Sequence, residues 1–447
     1  MVTDSLPARR SALERLLAHF ADLRRDEVAS VALFFLTAFL ILVAYYILKT
    51  LREPLLLVAA TAEMKSYAYA TIALILLVAI PLYGQLFRRT SKRQLTRWLT
   101  GFFIANLLVF YALGQAGWNI GFAYYVWVGI VSLMVTAQFW GYAADTYNTA
   151  SGQRLFPVIM LGATLGGVVG PIVAATLFEK LGAWNLMLIV GVLLAATLPL
   201  YGPARDAVPA KSRHAAVALE PPRTHLMGGL SMVMRDHYLF LLAALIVLLN
   251  WVNTTGEYIL AEVVIRYADA MIRVDAGLDK GELIARFYGG FYFAVNLCTV
   301  LIQMLVVARL FRWLGLGGSI LVLPIVVFVG YGLIAFVPIF AVIRVFKIVE
   351  NSTDYSLMNT ARHALYLPLT PSHKYEGKTA IETFFWRLGD LIQAGVVFAG
   401  LHWLAFGVEQ FAMLNMALAL IWILVALRLG RLYAEQAAQQ IGVQANV

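Results

Sequence analysis

The segment 31–52, VALFFLTAFLILVAYYILKTLR, sets the fold class of this protein. Its first eighteen residues, 31–48, contain no charged side chain. An α-helix rises about 1.5 Å per residue and the hydrocarbon core of a bilayer is about 30 Å thick, so a run of this length can cross it. The sequence therefore predicts a transmembrane helix here.

Similar apolar runs recur along the whole chain, and the composition agrees with them. Of the 447 residues, 61% are hydrophobic and 13% are charged, whereas about 25% are charged in ordinary soluble domains. We predict twelve spans, with the uncharged run 314–343 divided near Pro338. They cover residues 31–52, 67–87, 98–113, 120–145, 155–178, 184–201, 238–261, 286–308, 314–334, 338–363, 379–402 and 409–428.

The longest polar stretch between spans contains four prolines and divides the chain into six spans plus six. We predict an all-α integral membrane protein of about twelve transmembrane helices in two six-helix halves, an architecture that transporters commonly use. The predicted parts are a cytoplasmic amphipathic segment 1–28, an N-terminal half 29–201, a cytoplasmic linker 202–237, a C-terminal half 238–428 and a cytoplasmic tail 429–447.

The basic residues indicate the orientation in the membrane. Cytoplasmic loops are enriched in Lys and Arg, and residues 88–97 carry five positive charges and no acid. We therefore predict a multi-pass protein of the inner (plasma) membrane with both termini in the cytoplasm. The formal net charge of +9 is mainly a signal of this topology, and nothing in the pattern favours nucleic-acid binding.

Two classes of protein are disfavoured by missing motifs. The only Gly-Lys-Thr, at 377–379, has Ser372 where a phosphate-binding loop needs glycine, which argues against a primary pump. The chain has no G-x-S-x-G and its seven histidines lack metal-ligand spacing, so we predict no enzyme, no catalytic residue, no metal and no cofactor.

Charged side chains inside the spans are the candidates for function. Each costs about 2.5–3.5 kcal/mol at mid-span on insertion scales, so such residues usually mark a substrate or ion path. Many share one helix face at spacings of three and four. The candidate substrate-binding residues are Tyr45, Lys49, Arg52, Glu53, Tyr142, Asp145, Asn253, Glu257, Arg344, Lys347, Glu350, Asn351, Asp354, Lys378, Glu382, Arg387 and Asp390.

These residue types suit an anionic substrate. Phosphates favour charge-assisted donors such as Arg and Lys, while the carboxylates could compensate the cations when the site is empty. Three other interpretations stay open. Lys49 and Arg52 could extend to the lipid headgroups, the polar side chains could form hydrogen bonds between helices, and the charged residues could form a salt-bridge network that binds no ligand. In the fifth span, Gly162, Gly166 and Gly170 repeat every four residues, which predicts close approach of two helix backbones.

Several motifs resemble those of the ATP:ADP antiporter family of plastids and intracellular bacteria. Residues 45–55, YYILKTLREPL, resemble its first-span motif, and 139–145, FWGYAAD, its fourth-span motif. The stretch 350–391, ENSTDYSLMNTARHALYLPLTPSHKYEGKTAIETFFWRLGDL, contains the family's elements in order. The resemblance implies a major facilitator-like fold and nucleotide exchange.

The chain also departs from the family pattern. Arg52 and Glu53 stand where the family has Lys and Asp, and Asp145 stands where it has Glu, so the charge signs are kept. Glu257 matches the family's seventh-span Glu. Asp390, however, replaces a Lys and reverses a charge, a pattern that a paralogue for another anionic metabolite would share.

We therefore expect a secondary active transporter that works by alternating access within the lipid bilayer. The expected partner is a small anionic substrate, phosphorylated in the leading case, with ATP/ADP exchange as its specific form; the oligomeric state is left open. A proton-coupled facilitator for another small molecule and a non-transporting paralogue that acts as sensor or scaffold are the alternatives.

Overall fold

The computed structural model describes residues 24–213, 226–370 and 373–445, which are almost wholly helical. Most of the predicted amphipathic segment at the N terminus lies outside these ranges, as does part of the predicted linker. The helices are α1 (Val28–Leu57), α2 (Glu63–Arg89), α3 (Lys92–Gln115), α4 (Gly121–Thr146), α5 (Thr149–Asp206), α6 (Leu226–Arg235), α7 (His237–Val274), α8 (Lys280–Leu305), α9 (Val307–Phe336), α10 (Phe340–Thr353), α11 (Asn359–Ala364), α12 (Lys378–Ala380), α13 (Trp386–His402) and α14 (Val408–Ala445).

Short π-helical and 3-10 turns connect some of these helices. The π-helical turns are Asp354–Met358, between α10 and α11, His373–Gly377, before α12, and Ile381–Phe385, before α13. The 3-10 turns are Arg25–Glu27 and Ala210–Ser212. A π-helical turn inserts an extra residue into a helix and is often found at functional sites.

Ten helices within the described residues are long and apolar enough, by length and composition, to cross a membrane. This count differs from the predicted twelve spans at two places. The fifth and sixth predicted spans both lie in the 58-residue element α5, but its backbone is not helical at Gly182, where φ is 71°, so two helices meet there between the predicted spans. The tenth predicted span is divided by the turn Asp354–Met358 into two shorter helices. The protein is thus an all-α, multi-pass membrane protein, as predicted.

Two helix ends illustrate how local chemistry sets the boundaries. Helix α9 ends at Phe336 and α10 begins at Phe340, so the break predicted near Pro338 is confirmed. Helix α7 instead continues to Val274, well past the predicted end of that span. An ion pair one turn apart, between Arg266 and Glu262 at 2.9 Å, supports the extra turns.

The chain forms two compact units. The first comprises Met1–Lys49, Gly84–Trp118 and Val131–Leu219, and the second comprises Thr50–Tyr83, Asn119–Ile130 and Glu220–Val447. The boundaries pass through α1, α2 and α4, so these units are not the two sequence halves. The division into six helices plus six stays a prediction.

In the first unit, helix α5 packs closely against α1. A Cβ added at Gly162 would lie 2.5 Å from the carbonyl oxygen of Phe35, and one added at Gly166 would lie 2.4 Å from that of Phe39. No side chain fits at such distances. The close backbone approach predicted from the glycine spacing is therefore confirmed.

The first unit also contains a buried ion pair just before α1. The Glu27 carboxylate accepts hydrogen bonds from Arg154 at 2.6 and 2.8 Å and from Ser212 at 2.8 Å. Burial opposes ionisation of Glu27, but these hydrogen bonds, with one from the backbone of Arg24, outweigh it and hold the pKa of the carboxyl below its ordinary value. The pair joins the start of α1 to α5 and to the turn Ala210–Ser212.

Candidate functional site

The second unit contains six buried charged side chains in which cations and carboxylates alternate. Each has at most 8% of its surface exposed. We call this set the buried ion chain; its members, in order of contact, are Arg52, Glu53, Lys65, Glu257, Lys347 and Glu350.

The first part of the buried ion chain centres on Lys65. Its Nζ lies 3.1 Å from Oε2 of Glu53 and 3.0 Å from Oε2 of Glu257. The other oxygen of Glu53, Oε1, lies 3.1 Å from Nε of Arg52. One lysine near the start of α2 thus links the end of α1 to the middle of α7.

The second part of the chain lies between α7 and α10. Nζ of Lys347 is 2.7 Å from Oε2 of Glu350 and 3.9 Å from Oε1 of Glu257. The amide of Asn351 donates to Glu257 at 3.2 Å, and Lys347 donates to Asn253 at 3.4 Å. The predicted residues of the seventh and tenth spans therefore meet here.

Tyrosines supply further hydrogen bonds to the buried ion chain. Tyr292 donates to Glu53 at 2.8 Å, and Tyr331 donates to Glu350 at 3.1 Å. Lys65 donates to the hydroxyl of Tyr288 at 3.4 Å, while the guanidinium of Arg52 lies 4.2 Å from the ring centre of Tyr125. These contacts satisfy charges that burial would otherwise make costly.

A glycine on α7 makes room for this arrangement. A Cβ added at Gly256 would lie 1.9 Å from the hydroxyl of Tyr331 and 2.6 Å from Nζ of Lys347. Any side chain there would displace both groups. Gly256 directly precedes Glu257. The missing side chain at Gly256 leaves space for Lys347, and Glu257 forms an ion pair with that lysine.

The formal charges of the buried ion chain sum to zero, because it contains three cations and three carboxylates. Taking an isolated charge out of water costs several kcal/mol even after the protein relaxes. Removing one partner of a buried ion pair costs about 3–5 kcal/mol, because the other charge is left uncompensated. The alternation offsets part of that penalty inside the unit. It also means that each cation here is already matched by a carboxylate.

Lys65 was missed by the sequence reasoning, as were Tyr125, Tyr292 and Tyr331. The second span was predicted to begin at residue 67, which placed Lys65 in a loop. Helix α2 instead begins at Glu63, and Lys65 is fully buried. One signal could have found it: Lys65 is the only basic residue between Arg52 and Arg88.

A second set of buried polar side chains contains a carboxylate of α13. Asp390 accepts a hydrogen bond from Asn250 at 2.8 Å and lies 3.4 Å from Nη1 of Arg387. Asn250 also donates to the carbonyl of Trp386 at 2.7 Å. Arg387 and Asp390 thus form an ion pair one turn apart on α13, and the hydrogen bonds of Asn250 tie α13 to α7.

A third set of side chains lies around the π-helical turns; we call it the arginine–tryptophan group. The guanidinium of Arg362 lies 4.6 Å from the ring centre of Trp386, and Nζ of Lys378 lies 5.3 Å from that of Tyr366. Nδ1 of His363 is 3.7 Å from Oε1 of Glu382. The members are Arg362, His363, Tyr366, Lys378, Glu382 and Trp386.

The remaining candidates lie outside these sets. In the first unit, Tyr142 packs in the aromatic core and donates to the carbonyl of Tyr201 at 3.1 Å, and Asp145 is half-buried one turn away. Tyr45 packs against Tyr46, whose ring lies 5.4 Å from Nζ of the buried Lys49.

Two candidates from the tenth span also lie apart from the buried ion chain. Arg344 is exposed, and its guanidinium lies 5.6 Å from the ring centre of Phe287. Asp354 is half-buried at the start of a π-helical turn. Their roles in binding stay predictions.

Sequence comparison relates the chain to nucleotide carriers. No protein-family model matches it. It is 22% identical over 362 residues to ADP,ATP carrier protein 1 of Chlamydia pneumoniae. This alignment covers 69% of this chain and 66% of that protein. The same protein of Chlamydia muridarum (strain MoPn / Nigg) is 22% identical over 363 residues, or 69% and 64% of the two chains. The match thus spans slightly less than two thirds of each relative's length.

Comparison with solved structures defines the fold. The nucleoside transporter NupG superposes with a TM-score of 0.64 at 10% identity, covering 91% of this chain and 99% of that one. A POT family transporter in complex with 5-aminolevulinic acid gives 0.66 at 12% identity, covering 90% and 96%. A bacterial homologue of the iron transporter ferroportin, in its inward-facing state, gives 0.63 at 15% identity, covering 90% and 98%.

The fold is therefore that of the major facilitator-type transporters, as predicted. The resemblance to ATP:ADP antiporters inferred from the motifs is supported by the two chlamydial carriers. The relatives and neighbours named above are carriers and transporters, in agreement with the expectation that this protein is not an enzyme.

Proposed function

We propose that this protein is a secondary carrier of an anionic, phosphorylated metabolite, with ATP/ADP exchange as the leading case. The observation that carries the proposal is the buried ion chain. It joins Lys65 and charged residues of the first, seventh and tenth predicted spans in one neutral network. The first and tenth of these spans carry antiporter-like motifs, and Glu257 of the seventh matches a Glu of that family. The similarity to chlamydial ADP,ATP carriers supports the same substrate class.

The network suggests how an exchanger avoids leakage. An empty carrier that reorients must limit the unmatched charges that it carries through the membrane, and in the buried ion chain each cation is matched by a carboxylate. An anionic substrate would compete for Arg52, Lys65 or Lys347 and loosen the pairs. Binding energy from the substrate would then offset the broken ion pairs, so that the loaded carrier reorients by alternating access.

In the predicted orientation, the buried ion chain lies toward the extracytoplasmic ends of its helices. Glu53 is near the end of α1, and Lys65 is in the first turns of α2, which follows it. The arginine–tryptophan group then lies toward the cytoplasmic ends of its helices. We propose that the membrane is the inner membrane of a bacterial-type cell. We propose that the ion chain seals the extracytoplasmic side and that substrate enters from the cytoplasmic side.

Uptake into liposomes tests this proposal. Purified protein is reconstituted, and uptake of labelled ATP and ADP is measured with and without unlabelled nucleotide inside. We expect uptake that requires internal nucleotide and is lost in Arg52→Ala. Arg266→Ala, which removes an arginine from an exposed ion pair, is the matched control and should keep uptake. Wild-type protein that gives no more uptake than empty liposomes would exclude nucleotide exchange.

Asp390 favours a second candidate, a proton-coupled carrier. Its carboxylate is 98% buried, and its nearest cation, Arg387, is 3.4 Å away, farther than the closest partners in the ion chain. A carboxylate with such weak compensation can carry a proton during transport. Uptake driven by an imposed pH gradient without internal substrate, and abolished in Asp390→Asn, would favour this candidate over exchange.

A further inference from the structure

Arg362 holds a buried donor that no described residue satisfies. One terminal nitrogen, Nη2, donates to Oδ1 of Asn359 at 2.9 Å. Nε is buried and has no hydrogen-bond partner in the part of the chain that the structure describes. Native proteins rarely leave such a donor unpaired, because its lost hydration is not replaced. An acceptor from outside the chain would complete the site.

Trp386 fixes the orientation of this guanidinium. The ring and the cation are 4.6 Å apart, within the range of a cation–π contact. With Asn359 holding one nitrogen, the planar fork has little freedom left. A fixed fork is suited to the bidentate recognition of a phosphate or carboxylate.

The cations of this group differ from those of the buried ion chain in being unpaired. Within the described residues, neither Arg362 nor Lys378 forms an ion pair within 4.0 Å. Both lie near enough to act electrostatically on His363, so they share one region of the unit. The carboxylate of Asp354 interacts electrostatically with Arg362, but the two groups are more than 4.0 Å apart. The carboxylate of Glu382 belongs to the same group, but among the described residues it forms an ion pair with His363 and not with either cation. Two cations without an ion-pair partner favour an anion.

The backbone around this region is distorted on both sides. The π-helical turn Asp354–Met358 ends shortly before Arg362, and the turn Ile381–Phe385 ends directly before Trp386. Such turns weaken the regular hydrogen bonding of a helix and persist mostly where they position a functional side chain. Here they bring the two partners of the cation–π contact together.

We propose that Arg362, oriented by Trp386 and assisted by Lys378, is the subsite that binds the phosphate groups of the substrate. This inference rests on the proposed function, since it assigns the phosphates of an organic phosphate to one place in the carrier. The arginine–tryptophan group then binds the anion first, on the cytoplasmic side, before the anion competes for the cations of the buried ion chain, which closes the other side of the empty carrier.

The test measures binding and transport separately. Binding is measured as the rise in apparent melting temperature that ATP, pyrophosphate or adenosine causes in phosphatidylcholine nanodiscs. Transport is measured as the apparent KM and maximal rate of ATP exchange in liposomes. The variants are Arg362→Gln, Arg362→Lys and Trp386→Leu, with Arg266→Gln as the matched control.

We expect ATP and pyrophosphate, but not adenosine, to stabilise the wild type. Arg362→Gln should need about tenfold more of either anion and raise the KM to a similar degree, the loss expected for a charged hydrogen-bonding pair. Arg362→Lys keeps the charge but loses the fork, so it should fall between. Trp386→Leu should raise the KM with little change in maximal rate.

Each contrary outcome has its own meaning. Equal responses of wild type and Arg362→Gln to ATP and pyrophosphate would overturn the subsite, even where exchange is normal. Absence of nucleotide exchange in the wild type, with pyrophosphate binding that still depends on Arg362, would overturn the proposed nucleotide function alone. Stabilisation by phosphatidylglycerol in place of ATP would assign the site to a lipid headgroup and overturn the substrate subsite.

Discussion

Lys65 occupies the central position among the buried charges. It bridges the carboxylates of Glu53 on α1 and of Glu257 on α7, which lies 192 residues beyond Lys65 in sequence, and it is fully enclosed by protein. Without its charge, Glu53 and Glu257 would face each other in a poorly hydrated space. Repulsion between them would add to the loss of solvation, so this residue should matter more than any exposed lysine.

Replacement of Lys65 by Met should therefore lower stability by about 3 kcal/mol or more, since it leaves three buried carboxylates with only two cations. The measurement is the apparent melting temperature of the purified protein. Lys280→Met is the matched control, because it removes a lysine from a partly exposed pair with Asp269 and should cost about 0.5 kcal/mol. Adding Glu257→Gln to Lys65→Met should restore part of the loss. Equal melting temperatures for Lys65→Met and the control would contradict the proposed pairing.

Single residues also show where reasoning from sequence reaches its limit. The need of Glu257 for a cation could be predicted, because an intramembrane carboxylate requires compensation. The identity of that cation could not, because Lys65 and Lys347 approach Glu257 only through the packing of α2 and α10 against α7. Tyr142 is a candidate of another kind: it packs in an aromatic core and donates to the carbonyl of Tyr201, and its role in binding stays a prediction.

Helix α1 is held within the first unit by two contacts, one with α5 along its length and one at its start. Its glycine-lined contact with α5 needs no side-chain chemistry beyond small size, so the spacing of glycines predicted it. Its start depends on Glu27, whose partners Arg154 and Ser212 come from α5 and from the turn Ala210–Ser212. No sequence pattern joins positions so far apart. The carboxylate holds the beginning of the helix to two other elements.

This contact should make stability depend on pH. The pKa of Glu27 lies below its ordinary value of about 4.3 in the folded protein. The stabilisation is therefore fully present above the ordinary pKa and is lost as the pH falls through the folded pKa. We expect Glu27→Gln to lower the apparent melting temperature at pH 7 and to converge with the wild type below about pH 4. A difference that stayed constant down to that pH would argue against an ionised Glu27; Glu262→Gln is the control.

The broken helices are the elements that carry the candidate chemistry. The tenth predicted span is interrupted by the π-helical turn Asp354–Met358, and the eleventh begins with the turn Ile381–Phe385. Hydropathy reports how apolar a stretch is, and both stretches are apolar enough to be predicted as spans. It is insensitive to one extra residue in a helical turn, so these distortions could not be foreseen.

For the molecule as a whole, the basic residues predict one orientation in the membrane. The segment 88–97 should face the cytoplasm, and the uncharged loop 114–119 should face the opposite side. Substitution of Cys298, the only cysteine, by Ala gives a background for labelling. In intact cells, a membrane-impermeant thiol reagent should label Trp118→Cys but not Ser91→Cys. Labelling of Ser91→Cys should require permeabilised cells, and the opposite pattern would reverse the proposed orientation.

The protein's class follows from information that is local in the chain. Hydrophobic runs, glycine spacing and clusters of basic residues act over one or two helical turns, so the helical membrane architecture and the position of most helices could be predicted from them. The motif resemblance added a major facilitator-like fold, which the solved structures support.

Only the tertiary structure determines which charged side chains form ion pairs with one another. Charges act through space, and the six members of the buried ion chain come from two consecutive helices, α1 and α2, and from the distant helices α7 and α10. Whether a given cation is matched, like Lys65, or left for a ligand, like Arg362, depends on distances of a few ångströms. Only helix packing in three dimensions sets those distances, because no periodicity along the chain encodes which faces of distant helices meet.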